Sequence, residues 1–502
     1  MSKEPLPDAQ GEVRKSVIFL TPTVGGNLVA LVTLPIFLLF LTPEDYGYLA
    51  LATAYASVVV GLFQFGLATG FEREFFSQSE EQFQVRLLTT ILTVVALLLV
   101  LIGIPTWAFR SWISSVLLQN SALGALLFVT FLSYSAQALR QYQLAFFRNR
   151  GEAGAFARYS LLESISYGGL GLYFVVVLDL GVMGLPLAQV VGCTFISVAM
   201  FFQVLRVAKP GWEATGLRRA FRIGVPLTPG ILVKVAGSQF DKVLLGFLES
   251  VAGVGIYSIA QRLAYIVFSY STALENVSSP QVLKQMFQGG MNVASRIGSY
   301  LTPFAYWSVF MALAMAIFAQ EVLTIFAPQE YGPAAPLISI LSFNYAAAFF
   351  GKQKQLIFAK KTHLLPVFSM LLLILNVGLN IPLISAFGAI GAALGTATAG
   401  VVYTYLVFVI SQRHYPIHYE VGPIIAVFGY LLLATAASLA LNAGPLGFFQ
   451  VLGIKITIFG GFIWLGWKLE ILTNDTLGLL RRALFNRSRP LSPPPPSSTG
   501  RS

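Results

Sequence analysis

Apolar residues in this chain follow one another in long runs, without the one-sided stripe of a soluble helix or the two-residue alternation of a strand. About fourteen such runs lie between polar or Gly/Pro breaks, at residues 17–41, 48–69, 87–109, 116–138, 159–177, 182–204, 223–248, 253–272, 299–318, 334–350, 364–386, 389–410, 421–441 and 447–467. A run of roughly 20 apolar residues spans the hydrocarbon core of a bilayer as an α-helix. The predicted fold is therefore an all-α integral membrane bundle of about fourteen transmembrane helices.

The breaks between the runs alternate in charge. One set of loops and ends holds 27 of the 32 basic residues, from Lys3, Arg14 and Lys15 through Arg73, Arg140, Arg218, Lys284 and Lys352 to Lys468 and the tail. The opposite set holds Arg110 as its only basic residue, with Glu44, Asp45, Asp179, Glu249, Glu321 and Glu330. Basic loops of multi-pass proteins face the cytoplasm, so both termini are expected there.

Composition agrees with this picture, since 56% of the residues are hydrophobic and 11% charged, against roughly 25% charged in soluble proteins. The net charge of +11 serves here as an orientation signal, compatible with weak attraction to anionic membrane lipids; a nucleic-acid partner is not expected. The single cysteine, Cys193, excludes an intramolecular disulfide.

Residues of the two halves match at a constant offset. Thr21–Pro22 falls on Thr228–Pro229, Phe40–Leu41 on Phe247–Leu248, and Gly181-x-x-Gly184 on Gly388-x-x-Gly391, each 207 positions later. An even shift of six helices gives two repeats of like orientation, related by an axis along the membrane normal, with a cleft between them. The expected organisation is a cytoplasmic segment at 1–16, a first six-helix lobe at 17–206, a cytoplasmic linker at 207–222, a second lobe at 223–411, two added helices within 412–468, and a tail at 469–502. The tail ends in RPLSPPPPSSTGRS, which lacks the apolar residues of a core and is expected to be disordered.

Four basic residues remain inside the runs: Lys234, Lys242, Arg262 and Lys455. A charge at the bilayer centre costs about 2.5–3.5 kcal/mol even on the lenient insertion scale, so such residues face protein or water. Helical spacing places Lys234, Ser238 and Asp241 on one face, with Gln239 and Lys242 beside them. Asp241 and Arg262 are expected at similar depth, about 10 and 14 Å from the outer surface at 1.5 Å per residue, close enough to pair.

These residues, with Asn27, Gln64 and Gln137 from the first half, are predicted to line a wet, net positive cavity that attracts phosphate or acidic sugars. The competing reading of Asp241 with Lys242 or Arg262 is a structural ion pair. Lys242 is also placed to snorkel, and Lys455 is expected to snorkel or to pack within the added pair. Glu163 is a candidate ion relay, as is Asp241, but Glu163 equally suits an ion pair with Arg158 or Arg140.

His363, His414 and His418 form no metal-ligand pattern, and there is no Walker-type phosphate loop or nucleophile elbow. The expectation is a transporter, with no cofactor and no enzymatic chemistry.

Four passages resemble a known family: FLTPEDYGYLALATAYASVVVGLFQFGLATGFEREFF (40–76), SQFDKVLLGFLESVAGVGIYSIAQRL (238–263), EVLTIFAPQEYGPAAPLISILSF (321–343) and LNVGLNIPLISAFGAIGAALGTATAG (375–400). They are similar to the Wzx-type polysaccharide biosynthesis flippases, which belong with the MATE exporters and MurJ-like lipid flippases. The resemblance implies two six-helix lobes in a V with two extra helices. It also implies transfer of undecaprenyl-diphosphate-linked oligosaccharide across the bacterial inner membrane by alternating access, with other polysaccharide assembly proteins as further partners. The family's cavity is lined by the first two helices of each lobe; the matching charged positions are Lys234, Asp241, Lys242 and Arg262. A MATE-like cation or drug antiporter is the alternative, and a membrane glycan polymerase or ligase would want a longer outer loop.

Overall fold

The computed structural model describes residues 9–290, 292–351, 354–361 and 363–472, with side chains from residue 25 onward. The extreme amino terminus and the Pro-rich tail lie outside the described residues. Every element among the described residues is helical. The first lobe comprises α1 (Ala9–Phe40), α2 (Pro43–Phe63), α3 (Leu67–Phe75), α4 (Glu81–Ala108), α5 (Arg110–Leu117), α6 (Gly124–Asn149), α7 (Ala153–Leu172) and α8 (Gly184–Leu205). The second comprises α9 (Ala214–Gly237), α10 (Phe240–Leu248), α11 (Val251–Gln288), α12 (Val293–Ile317), α13 (Ala319–Phe326), α14 (Ala334–Ala347), α15 (Lys354–Phe358) and α16 (Leu364–His414). Two further helices, α17 (Val421–Ala443) and α18 (Phe448–Lys468), follow.

Twelve helices among the described residues are long and apolar enough to cross a membrane. One of them, the 51-residue α16, holds two of the expected runs, 364–386 and 389–410, on either side of Gly388. The run at 17–41 enters only with its Gly25–Phe40 portion. Gly388 has φ +56°, and Gly181, its partner in the repeat, φ +53°, a conformation that side-chain-bearing residues rarely adopt. The two repeats therefore both take a positive φ at this position. Beyond Gly388 the helix restarts with the Ala389 N–H donating to the Glu249 carboxylate.

Three expected boundaries change. The run at 48–69 is interrupted between α2 and α3, where Phe65 and Gly66 take φ +46° and +63°. The run at 223–248 is interrupted at Ser238–Gln239, between α9 and α10. The run at 253–272 continues as α11 to Gln288, because polarity ends an apolar run without ending a helix. Leu274, Ser278, Val282 and Met286 keep one face of that extension buried.

The expected linker at 207–222 is half helical. α9 starts at Ala214, capped by the Glu213 carboxylate, which accepts from the Gly216 N–H at 3.3 Å. The loop before it is tied to α4: the Glu213 N–H donates to Thr90 Oγ1 at 2.8 Å, and Thr89 Oγ1 donates to the Gly211 carbonyl at 2.8 Å.

The lobes meet most closely at the end of the bundle that carries the acidic loops. The start of α2 is fixed by a capping box in which Thr42 and Asp45 satisfy each other's backbone N–H groups. A Cβ on Gly255 would lie 1.7 Å from the Pro43 carbonyl oxygen, and one on Gly47 would lie 1.9 Å from the Val251 oxygen. α2 and α11 thus touch backbone to backbone. One buried cluster surrounds this seam with side chains of both lobes, including Phe37, Leu51, Leu245, Val254 and Leu337. Tyr331 Oη donates to the Leu41 carbonyl at 2.6 Å, and Gln119 Nε2 to the Gly246 carbonyl at 2.8 Å.

At the basic end the inter-lobe contact is narrower. α3 lies on α9, where a Cβ on Gly224 would sit 2.5 Å from the Phe65 oxygen, and Arg219 pairs with the buried Glu74 at 2.8 Å.

Lys455 packs within the added pair and does not snorkel. It is fully buried, with Nζ 2.6 Å from Glu321 Oε1 and 2.8 Å from Asn442 Oδ1. α18 is fixed by this contact to α13 of the second lobe, and by Tyr306 of α12, whose ring stacks on Phe462 at 4.8 Å. Lys455→Ala strands the Glu321 charge and is expected to cost about 3–5 kcal/mol, whereas Lys455→Met with Glu321→Leu recovers most of that loss. Thermal unfolding of the purified protein measures both. At the seam, Gly255→Ala is expected to part the lobes and raise labelling of Ser258→Cys, in a Cys193→Ser background, by an impermeant thiol reagent; unchanged labelling would contradict this account of closure.

Candidate functional site

The interruption at Ser238–Gln239 decides where the candidate charges point. At the end of α9 the Ser238 N–H bonds the Lys234 and Val235 carbonyls, both at 3.2 Å, and its hydroxyl bonds the Val235 carbonyl at 2.7 Å. Gln239, at φ −118°, then opens α10 in a new direction. The single polar stripe expected from Lys234 to Asp241 is therefore split. Lys234 is exposed and Asp241 is buried.

Asp241 sits in the first turn of α10, where a carboxylate is favoured by the helix dipole. Its Oδ1 accepts the Lys242 N–H at 2.9 Å and its Oδ2 accepts the Tyr257 hydroxyl at 2.5 Å. Tyr257 Oη lies 3.3 Å from Thr396 Oγ1, to which Asn376 Nδ2 donates at 3.4 Å. Asn380 Nδ2 donates in turn to Asn376 Oδ1 at 2.8 Å. This chain of polar groups runs from α10 through α11 to both segments of α16. It ends on Asn380 Oδ1, which is buried without a partner among the described residues.

The expected approach of Asp241 to Arg262 does not occur. Tyr257, which reaches Asp241, and Arg262 are five residues apart on α11, about 140° around the helix. Arg262 is exposed on the other side, two turns beyond Gly255 and near the face by which α11 meets α2 of the first lobe. Among the described residues neither Arg262 nor Lys234 has a carboxylate partner. Lys242 is half-buried and donates from Nζ to Gln239 Oε1 at 3.2 Å, so its ammonium group is held locally and does not reach for the surface.

Gln64 and Gln137 do come together. With Ser57, Tyr134 and Gln141 of the first lobe, and Ile231 and Val235 of α9, they line a cleft of about 280 Å³ between the lobes. Tyr142 Oη donates to Gln64 Oε1 at 3.2 Å, which fixes the amide at the end of α2. Lys234 precedes the lining residue Val235.

Asn27 is exposed on α1, and no hydrogen bond among the described residues joins it to the other candidates. Glu163 pairs with Arg140, both largely buried in the first lobe, which is the pairing foreseen as the alternative to a relay. No group of three or more His, Cys, Asp or Glu side chains is placed to hold a metal among the described residues.

The residues overlooked in the sequence are those that complete Asp241: Tyr257, Asn376, Asn380 and Thr396. Asn376 and Asn380, four apart in an apolar run, carried a readable signal, since amides there need internal partners.

A bundle of membrane-spanning helices in two like lobes, with a cleft between them that carries a few amides and hydroxyls, defines a multi-pass membrane transporter fold. The chain belongs to the polysaccharide biosynthesis protein family, whose model matches residues 39–289. It is 24% identical over 247 residues to the "Probable low-salt glycan biosynthesis flippase Agl15" of Haloferax volcanii, a match over 48% of this chain, and it spans half the length of that relative. Its fold is similar to that of the lipid II flippase MurJ in an inward closed conformation, with TM-score 0.67 and 12% identity over 91% of this chain and 100% of that one. It is also similar to an inward-facing multidrug resistance MATE family transporter of the MOP superfamily, with TM-score 0.62 and 14% identity over 82% of this chain and 95% of that one.

Tyr257→Phe leaves Asp241 Oδ2 without its buried donor and is expected to cost about 1–3 kcal/mol of stability. Asp241→Asn in the same protein recovers part of it. A thermal unfolding series on the two single variants and the double variant reads the coupling directly.

Proposed function

We propose that the protein is a flippase that carries undecaprenyl-diphosphate-linked oligosaccharide across the bacterial inner membrane by alternating access. The observation that carries this reading is the pair of uncompensated cations, Lys234 and Arg262, exposed in a protein whose Lys455, Arg140 and Arg219 are all neutralised by carboxylates. An unpaired cation within the hydrocarbon depth is costly unless water or an anion completes it. A diphosphate is such an anion, and the hydroxyls of a glycan suit the amides of Gln64, Gln137 and Gln141. The lipid tail stays in the bilayer while the headgroup, whose polar groups each cost several kcal/mol in hydrocarbon, moves through the cleft.

In this reading the basic end faces the cytoplasm, following the distribution of Lys and Arg, and the protein acts as a transporter and not as an enzyme. Domain limits near residues 206, 223 and 411, and contacts with other polysaccharide assembly proteins, belong to the same proposal. An ion relay, if transport is coupled, falls to Asp241 and its polar chain, because Glu163 is already paired with Arg140. That buried carboxylate is also what favours the second reading, a MATE-like exchange of a cation or drug; the exposed, unpaired Lys234 and Arg262 oppose a cationic cargo.

Lys234→Ala and Arg262→Ala are each expected to lower surface glycan about tenfold, as loss of one charge-assisted contact of roughly 1.5–3 kcal/mol implies, with protein level in the membrane unchanged. Unaltered glycan in both variants would remove the anionic-cargo reading.

A further inference from the structure

Resting on the flippase reading, a second part of the headgroup site can be assigned on α11. Tyr265 follows Arg262 by three residues, so the two side chains project about 60° apart on one broad face of the helix. Arg262 lies two turns beyond Gly255, within about 20° of the face by which α11 touches Pro43 and Gly47 of α2, so this face looks toward the first lobe. Tyr265 is 50% exposed, large for an aromatic that is also packed against other rings. Its ring centroid lies 5.1 Å from that of Phe268 and 6.2 Å from that of Tyr345, edge-on to the latter at 87°. Phe268 and Tyr345 contact each other at 5.7 Å, and Gln261 hydrogen-bonds Tyr345 from the preceding turn of α11.

Phe268 and Tyr345 hold Tyr265 from behind and from one edge and leave half of its surface exposed. A rigid, half-exposed aromatic face one turn from an uncompensated arginine is the arrangement that suits a sugar joined to a diphosphate. The phosphates go to the guanidinium, and the apolar C–H face of the ring lies on the phenol with the sugar hydroxyls left free for water and the amides beyond. A role as mere lipid-facing bulk does not fit, because the same helix face carries Arg262, whose exposure to acyl chains would be costly.

We propose that Tyr265, braced by Phe268 and Tyr345, is the stacking surface for the first sugar of the lipid-linked headgroup, with Arg262 holding the adjoining diphosphate. The test is binding of polyprenyl diphosphate, bare or carrying one glucose, galactose or N-acetylglucosamine, to the purified full chain in nanodiscs. The wild type is expected to bind at least one glycosylated probe about tenfold more tightly than the bare one, equivalent to about 1.4 kcal/mol. Tyr265→Ala abolishes that difference while leaving affinity for the bare probe unchanged, which also reports that the variant is folded. Tyr265→Phe keeps the difference, and Arg262→Ala weakens all probes alike. A tenfold preference that survives in Tyr265→Ala, or is lost equally in Tyr265→Phe, overturns the stacking role. Equal wild-type affinity for every probe also overturns it while sparing the flippase reading, whereas binding of none overturns both.

Discussion

Hydrocarbon solvates no charge, so each ionic or strongly polar side chain placed at membrane depth must be completed by protein or by water. That constraint sorts the buried groups of this protein. Lys455 is completed by Glu321 and Asn442, Glu163 by Arg140, and Asp241 by Tyr257 and a backbone N–H. Apart from that N–H, which lies within α10, each of these contacts joins one helix to another and thereby fixes the bundle. Lys234 and Arg262 are the exceptions, exposed and without carboxylates among the described residues. Their lack of partners, and not their charge alone, is what distinguishes them from the paired cations of the bundle.

The two ends of the cleft are both closed by contact between the lobes. At the acidic end, contact at Gly47 and Gly255 brings backbones together over a large shared apolar cluster. At the basic end a narrower crossing of α3 on α9 is supplemented by an ion pair between Glu74 and Arg219. Both closures draw on apolar burial and close backbone packing, for at the basic end Gly66 and Gly70 of the first lobe meet Gly224 and Ala220 backbone to backbone beside Leu67, Phe71 and Phe221; the second adds the ion pair of buried Glu74 with half-exposed Arg219. The helix breaks are distributed unequally as well: the first lobe interrupts its second helix at Phe65–Gly66, the second lobe its first at Ser238–Gln239. The lobes share a positive φ at Gly181 and Gly388 yet place different chemistry at the cleft.

Much of the architecture was legible in the chain because a bilayer imposes a length and a polarity on each crossing. The apolar runs recur in twelve membrane-long helices among the described residues, and the positive φ of Gly181 recurs 207 positions later at Gly388. Helix ends were less legible, as α11 shows: its final turns are polar on one side, and only the neighbours that bury Val282 and Met286 keep them helical. Of the site, Gln64 and Gln137 line one cleft, and Lys234 and Arg262 are exposed without carboxylate partners among the described residues. Asp241 was assigned to open water and to Arg262, and it has neither.

Local sequence therefore determined composition-level properties: membrane residence, the repeat, the sites where helices begin under Thr42–Asp45 or turn at Gly388. These depend on transfer energies and backbone sterics that each segment carries with it. Partner choice was settled only in three dimensions. Whether Asp241 meets Arg262 or Tyr257 turns on the phase of α11 and on a two-residue break before α10, and a shift of about 100° per residue sends a side chain from one compartment of the bundle to another. No periodicity read along one helix contains the rotation of its neighbour, and that rotation is set by the packing of the two lobes.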